Sequence, residues 1–470
     1  MSDRRGLVRA VTLVPAACII LANIIGTGVF VKARVMICNV GSPGMVLLVW
    51  VIAGLLSLAG AIVYAELSTM MPRAGGEFNY IGAAYGRLWA FLFGWTKTLA
   101  VGASIAALAI IFVVFLNDLV GDRLSPLMQR VLPVAVIVAG TLLNFSSARA
   151  NGAVATALTV GKVTLVLGIG VGAFIFGDGS WANFGASCTD GTCEGVPESA
   201  RLGVTGFGAA MLGALWGYNG WAVIAMLGSE VKDPARTLPR ALIGGTLLVI
   251  VLYILVNAAY FYILTPSEIG SVSPSSSVAY EVTVRVVGAA AASVMSAGLM
   301  LSAYGTLHAG LLTSPRLPYA LAKHGLLPRF LSTVSVRGVP VYAVLAMGVW
   351  SIILTLSGTF DILTDMYIFV LWIFYGMTGT ALFVLRRRHP DAERPYRVWG
   401  YPVVPALFLL VTAYLLVNTL IATPGRALAG LLLIVAGLPV YAYFTRRATA
   451  DVTAWLGEDA ESSGESTSGR

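Results

Sequence analysis

An all-α integral membrane protein of about 12 spans, two of them interrupted at mid-depth, is the fold class this sequence predicts. Three observations carry that expectation. Of 470 residues, 58% are hydrophobic and only 11% are charged, against roughly 25% charged in soluble domains. The apolar residues gather into runs such as Met45 to Tyr64, Leu242 to Leu264 and Ala406 to Ala422, each near the roughly 20 residues that cross a bilayer as a helix. Two of the runs contain paired glycines and polar residues where hydrocarbon should demand unbroken helix.

Taken in order, the runs centre near residues 24, 56, 103, 138, 165, 216, 252, 300, 348, 374, 412 and 434. The first continues past the length of a signal-peptide core and lacks an A-x-A site, so no cleavable signal is expected. With the N-terminus inside, the interior segments hold about 21 of the 30 Lys and Arg residues and the exterior ones about 7, Lys97 and Lys162 lying within spans. This asymmetry places both termini on the cytoplasmic side of the cell membrane. It also accounts for the net charge of +8, which faces anionic headgroups and gives no reason to expect nucleic acid as a partner. The domain layout is a cytoplasmic tail at 1–9, a transmembrane unit at 10–448 and a tail at 449–470 whose Glu, Ser, Thr and Gly content predicts disorder.

The first break, Ile24-Ile25-Gly26-Thr27-Gly28-Val29-Phe30, is the most informative segment. Unpaired backbone survives at membrane depth only where protein or a water-filled cavity satisfies it. The half-helix from Val29 onward therefore points its positive end into a gap, a device suited to a carboxylate. Gly26 and Gly28 are both expected to reject a side chain. The second break, Gly213-Ala-Leu-Trp216-Gly217-Tyr218-Asn219-Gly220-Trp221, lies five spans later. Paired interruptions at matching positions of two halves point to an inverted-repeat transporter with a central site, with repeat one at about 10–176, repeat two at about 203–387 and two extra spans at about 402–445.

Lys162 stands near the middle of span five. An ionisable group there is a functional hypothesis by default, because it must find partners; the bland reading is a lysine that snorkels to an interface. Glu66 and Lys97 read as structural charges at helix ends. The exterior loop 177–201 holds Cys188 and Cys193, spaced for a local disulfide, with a reduced pair or a weak metal site as the other readings. Cys18 and Cys38 read as packing residues. Enzyme chemistry is not supported: there is no Ser/His/Asp order, no CxxC or His cluster, no phosphate loop, and no cofactor or metal is expected.

The motifs Gly26-Thr-Gly-Val-Phe30, Gly41-Ser-Pro-Gly44, Pro72-Arg-Ala-Gly-Gly76-Glu-Phe-Asn-Tyr80, Gly161-Lys162, Trp216-Gly-Tyr-Asn-Gly220-Trp221, Glu230-Val-Lys-Asp-Pro234, Thr313-Ser-Pro-Arg316 and Arg394-Pro-Tyr396 follow one another in order. In these the chain resembles the amino acid-polyamine-organocation superfamily, and within it the L-type amino acid transporter branch, over about residues 10 to 445. The resemblance implies a LeuT-type fold of two five-helix inverted repeats and sodium-independent alternating access, by exchange, of neutral L-amino acids. The amides of Gly26, Thr27 and Gly28 would take the substrate carboxylate, and carbonyls near Asn23, Ile24 and Trp216 the ammonium. Gly217 and Asn219 complete the expected substrate set, and Trp216 is the expected aromatic gate.

The resemblance also implies that Lys162 stands in for a coupling cation, held with Ser302 and Thr306 of span eight. His308 departs from the asparagine expected there, and a hydrogen-bonded structural role is favoured. No carboxylate is expected near either break to pair with a cationic substrate. Proton- or sodium-coupled symport, a cationic amino acid or polyamine antiporter, and a channel are the rival readings. Eukaryotic members of the branch often join a single-span glycoprotein through a cysteine between spans three and four. The stretch Asn117 to Arg130 has none, so no disulfide-linked heavy subunit is expected.

Overall fold

The computed structural model describes residues 7–121, 123–273, 276–288, 291–357, 360–422 and 424–446. The tail expected to be disordered, 449–470, and most of the tail at 1–9 lie outside them. Before the first long loop the chain forms α1 (Leu13–Ile24), α2 (Gly28–Val40), α3 (Pro43–Met70), α4 (Glu77–Tyr85), α5 (Arg87–Leu119), α6 (Pro126–Leu143) and α7 (Ala148–Phe176). After it come α8 (Gly203–Gly217), 3-10 turns at Trp221–Met226 and Gly228–Glu230, α9 (Pro234–Ile263), α10 (Pro266–Ser271), α11 (Val278–Val287), α12 (Ala291–Thr313) and α13 (Arg316–Lys323). The chain closes with α14 (Val341–Ser357), α15 (Phe360–Arg388), α16 (Val403–Ala422), α17 (Pro424–Val435) and α18 (Gly437–Thr445).

Local chemistry sets the ends of these helices. Gly41 closes α2 at φ 77°, a left-handed conformation that glycine adopts without strain, and Pro43 then opens α3 at its first position, where the missing N–H costs nothing. Leu127, Val131, Phe176, Leu407, Leu410 and Ile421 are exposed, and such faces belong against lipid tails, not water.

Among the described residues eight helices are long and apolar enough to cross a membrane, and α1 with α2, bent by 42°, make a ninth span. The expected number of about 12 is not matched one for one. Span nine is α14, of 17 residues. Span six is α8, of 15 residues, and the chain beyond its break forms 3-10 turns, not the second half-helix that an echo of the first break suggests. Helices that carry interruptions fall short of full spanning length because backbone is given up to loops at the break.

The two broken spans lie against each other. α1 packs on the turn at Trp221–Met226, while α2 packs on α8, so each half of one meets the opposite half of the other and the two run antiparallel. α1 is further enclosed by α7, α9 and α12. On the face that carries the N-terminus, Ala10 and Val11 donate backbone bonds to the Glu230 carbonyl, both at 2.9 Å.

The cysteine pairing differs from the expectation. Cys38, not Cys188, is bonded to Cys193, 155 positions further along the sequence, and Cys188 is a free thiol. Cys38 lies in the last turn of α2, and its reading as a packing residue is overturned. The fold carries the loop back over the end of α2, so a partner distant in sequence lies as near as the local one, which spacing alone does not reveal.

Candidate functional site

The first break spans Ile25 to Thr27. Ile25 leaves the helix at φ −73° and ψ 83°, and the Gly26 amide donates back to the Ile24 carbonyl at 2.8 Å. Of the three amides expected to receive an anion, that of Gly26 is therefore engaged within the chain. Thr27 and Gly28 open α2, where first-turn N–H groups have no helical acceptor, and no side chain caps them. The Ile24 carbonyl is likewise taken: it accepts from Gly26 and from the Tyr253 hydroxyl at 2.9 Å.

Lys162 lies inside the bundle at 0% exposure. Its Nζ donates to the Ala22 carbonyl at 2.8 Å, the Ile25 carbonyl at 2.7 Å and Thr306 Oγ1 at 2.6 Å. An ammonium has three donors and no more, so all three are used. Ser302 Oγ donates to the carbonyls of Ile25 at 3.3 Å and Gly26 at 3.2 Å. α7 and α12 thus grip the same unwound carbonyls, and Lys162, Ser302 and Thr306 are brought together there. A snorkelling lysine is excluded by this geometry. Gly305 makes the arrangement possible, because a Cβ there would stand 2.6 Å from Lys162 Cε.

The second break closes on the first. Gly220 sits at φ 120°, and a Cβ on it would lie 2.9 Å from the Asn23 backbone, so only glycine allows this approach. Trp216 is half-buried with its ring directly over Gly28, 2.9 Å from where a Cβ would stand, and Gly217 Cα is 3.1 Å from the same point. A Cβ on Gly26 meets nothing nearer than Thr306 Oγ1 at 3.8 Å. Of the two glycines expected to reject a side chain, Gly28 alone therefore has a steric reason to do so. Lys32 of α2 also lies over Trp216, its Nζ 4.8 Å from the ring centroid.

Two residues that the sequence reading missed hold the breaks, one of them joining the two. Tyr253 of α9 sets its hydroxyl between the carbonyls of Ile24 and Gly217, at 2.9 and 3.0 Å. Tyr375 of α15 donates to Asn219 Oδ1 at 3.3 Å. Each is a hydroxyl within an apolar span, a signal of the same kind that Lys162 gave. Asn23 turns its amide back to the Ile19 carbonyl at 2.8 Å.

Buried carboxylates do exist, but each among the described residues is already paired on the N-terminal face. Arg316 Nε and Nη2 hold Glu230 at 2.7 and 2.9 Å; Arg386 holds Glu66 at 2.8 and 2.5 Å; Lys97 holds Glu77 at 2.6 Å. Glu66 and Lys97 are thus members of structural ion pairs, though Lys97 stands well inside α5 and not at its end. His308 is bracketed by the Asn144 side chain at 3.2 Å and the Asn151 carbonyl at 3.4 Å, a hydrogen-bonded place in the packing between α6, α7 and α12.

An all-α bundle with two antiparallel interrupted helices, a closed cation-like knot and uncapped amides at one break has the architecture of a membrane transporter. The chain belongs to the amino acid permease family, whose sequence model matches residues 11–443, and it has that family's LeuT-type fold. It is 32% identical over 445 residues to the serine/threonine exchanger SteT of Bacillus subtilis (strain 168), covering 94% of this chain and 98% of the relative. It is 31% identical to the b(0,+)-type amino acid transporter 1 of Mus musculus, over 93% and 88% of the two chains. It is 30% identical to the cystine/glutamate transporter of Homo sapiens, over 93% and 85%. The protein is an amino acid transporter of the membrane and not an enzyme.

Proposed function

We propose that this chain exchanges neutral L-amino acids across the cell membrane by alternating access, without sodium. The observation that carries the reading is the Lys162 knot: an ammonium fills its hydrogen-bonding capacity on two break carbonyls and a span-eight hydroxyl, where a separate coupling ion would need those same oxygens. The substrate carboxylate binds the Thr27 and Gly28 amides at the positive end of α2. Its ammonium takes the carbonyl of Asn23, since that of Ile24 is already doubly engaged and that of Trp216 accepts from the amides of Tyr218 and Asn219. Trp216 covers the bound molecule, and Gly217 and Asn219 line its other side.

A neutral side chain fits because Glu66, Glu77 and Glu230 are each committed to a cation. Exchange is supported by the kinship to a serine/threonine exchanger. The antiparallel packing of the broken spans supports repeats at about 10–176 and 203–387 with two extra spans at about 402–445. Both termini lie in the cytoplasm on the charge asymmetry, and a disulfide on the opposite face suits an exterior compartment. The loop between α5 and α6 offers no cysteine to a heavy subunit, so the chain works without one.

Counterflow in liposomes is the test. Vesicles preloaded with single neutral amino acids should accelerate uptake of a labelled one, at the same rate in sodium and in choline buffer. Uptake indifferent to internal substrate would refute exchange, and strong dependence on sodium would refute the role given to Lys162.

A further inference from the structure

Beside the Cys38–Cys193 disulfide lies a third sulfur. The Sγ atoms of Cys38, Cys188 and Cys193 are all within 4.8 Å of one another, and Cys188 is free and half-buried. We propose that Cys188 is an exchange thiol that moves the disulfide from Cys38–Cys193 to Cys188–Cys193 and back, making the three cysteines a reversible covalent latch on the end of α2. This goes beyond the transport reading and rests on it only for the consequence in transport.

The chemistry closes on itself. The Cys188 thiolate attacks Sγ of Cys193; the Cys188–Cys193 bond forms as the Cys38–Cys193 bond breaks, and the electron pair leaves on Cys38 Sγ, which takes up the proton that Cys188 gave up. One disulfide and one thiol go in and come out, so no oxidant or reductant is consumed. The direction of attack matters. Attack on Cys193 leaves a bond inside the loop and frees α2, whereas attack on Cys38 would leave α2 tied to the same loop.

Access favours Cys188 as the attacking thiol. Cys38 and Cys193 are 4% and 5% exposed, so the bond between them is shielded from dissolved thiols, while the Cys188 sulfur already stands beside it. Burial pushes the Cys188 thiol up, with Asp190 in the same sense and the Gly191 amide and Arg201 opposing, so near neutral pH the thiol is mostly protonated and the latch holds.

The latch secures the end of a helix that begins at the substrate cradle. Around it Arg34 Nη1 donates to the Glu194 carbonyl at 2.8 Å, the Asn39 amide to the Ala200 carbonyl at 2.6 Å, and the Leu202 N–H to the Asn39 carbonyl at 2.7 Å. Cys188 itself donates its N–H to the Gly41 carbonyl at 2.9 Å. The roughly ten residues from Gly28 to Cys38 make about 15 Å of helix. Moving the covalent bond into the loop leaves α2 joined to that loop by hydrogen bonds alone.

The experiment uses the full-length protein in lipid vesicles, held at raised pH without added thiol so that Cys188 ionises, then alkylated in acid and mapped by non-reducing peptide mass spectrometry. Untreated protein should give the Cys38–Cys193 peptide with Cys188 alkylated; at raised pH a Cys188–Cys193 peptide with Cys38 alkylated should appear. C188S should never give the second peptide and should keep the first for longer. Cys188 remaining free throughout, or C188S losing its disulfide at the wild-type rate, overturns the proposal, and neither result depends on transport. In uptake assays the same rise in pH should move the wild-type exchange rate toward that of C38S by more than it moves C188S; an equal shift in C188S overturns the latch.

Discussion

At the scale of single residues, the two glycines of the first break differ in what surrounds them. Gly28 faces the Trp216 ring at 2.9 Å and Gly217 Cα at 3.1 Å from the point where a Cβ would stand, whereas Gly26 has ordinary room. Gly28→Ala should lower exchange about tenfold or more, the factor that corresponds to about 1.4 kcal/mol, while Gly26→Ala should stay within a few-fold of wild type. Initial uptake rates of the two folded variants check this; equal loss in both would show that Trp216 contact is not what Gly28 protects. Gly305→Ala should act like Lys162→Ala, because its Cβ would stand 2.6 Å from Lys162 Cε and displace it, and both should slow exchange while leaving the yield of folded protein in detergent measurable. A Gly305→Ala variant with wild-type kinetics would mean that the ammonium can shift without consequence. Gly26, Thr27 and Lys162 were legible because polar or flexible residues in an apolar run stand out, and Ser302 and Thr306 through the family resemblance; Gly305 was not, since a glycine in a membrane helix is common and its neighbour is 143 positions away in sequence.

Among elements, the joint between the turn at Gly228–Glu230 and α13 is the most exposed to a single change. Arg316 and Glu230 are 1% and 0% exposed, and removing one partner of such a pair strands a buried charge at a cost of about 3–5 kcal/mol. Arg316→Ala should therefore lower the melting temperature sharply. Arg316→Lys should recover little, because an ammonium cannot reproduce the two-pronged contact of Nε and Nη2. Thermal unfolding in detergent followed by light scattering is the measurement, and a Lys variant as stable as wild type would show that charge alone suffices. The helices themselves were readable from their apolar runs. The 3-10 character after the second break was not, because Trp221–Met226 is as apolar as a helix and its shape comes from packing on α1.

For the molecule as a whole, the antiparallel embrace of the broken spans could be anticipated from two interruptions five spans apart. Their contact could not: Gly220 against Asn23 and Tyr253 against Ile24 join residues about 200 to 230 positions distant. The disulfide failed for the same reason, since sequence spacing favours local pairs while the fold returns a loop to the end of α2. Charge asymmetry spoke only of sidedness. It said nothing of the three buried carboxylates gathered on one face, where among the described residues Glu77 and Glu230 each meet a cation and Glu66 meets both Arg386 and Arg394.

The lysine at the centre of the bundle has a bioenergetic consequence. A sodium ion in such a place can leave on the other side, and the gradient it runs down lets a carrier accumulate its cargo. On the role proposed for Lys162, an ammonium on a covalent tether does not cross with the cargo, so no ion gradient does such work through it. A carrier exchanging in this way would level the ratios of its substrates between two compartments instead of raising one of them, and the direction of net flow would belong to metabolism on either side.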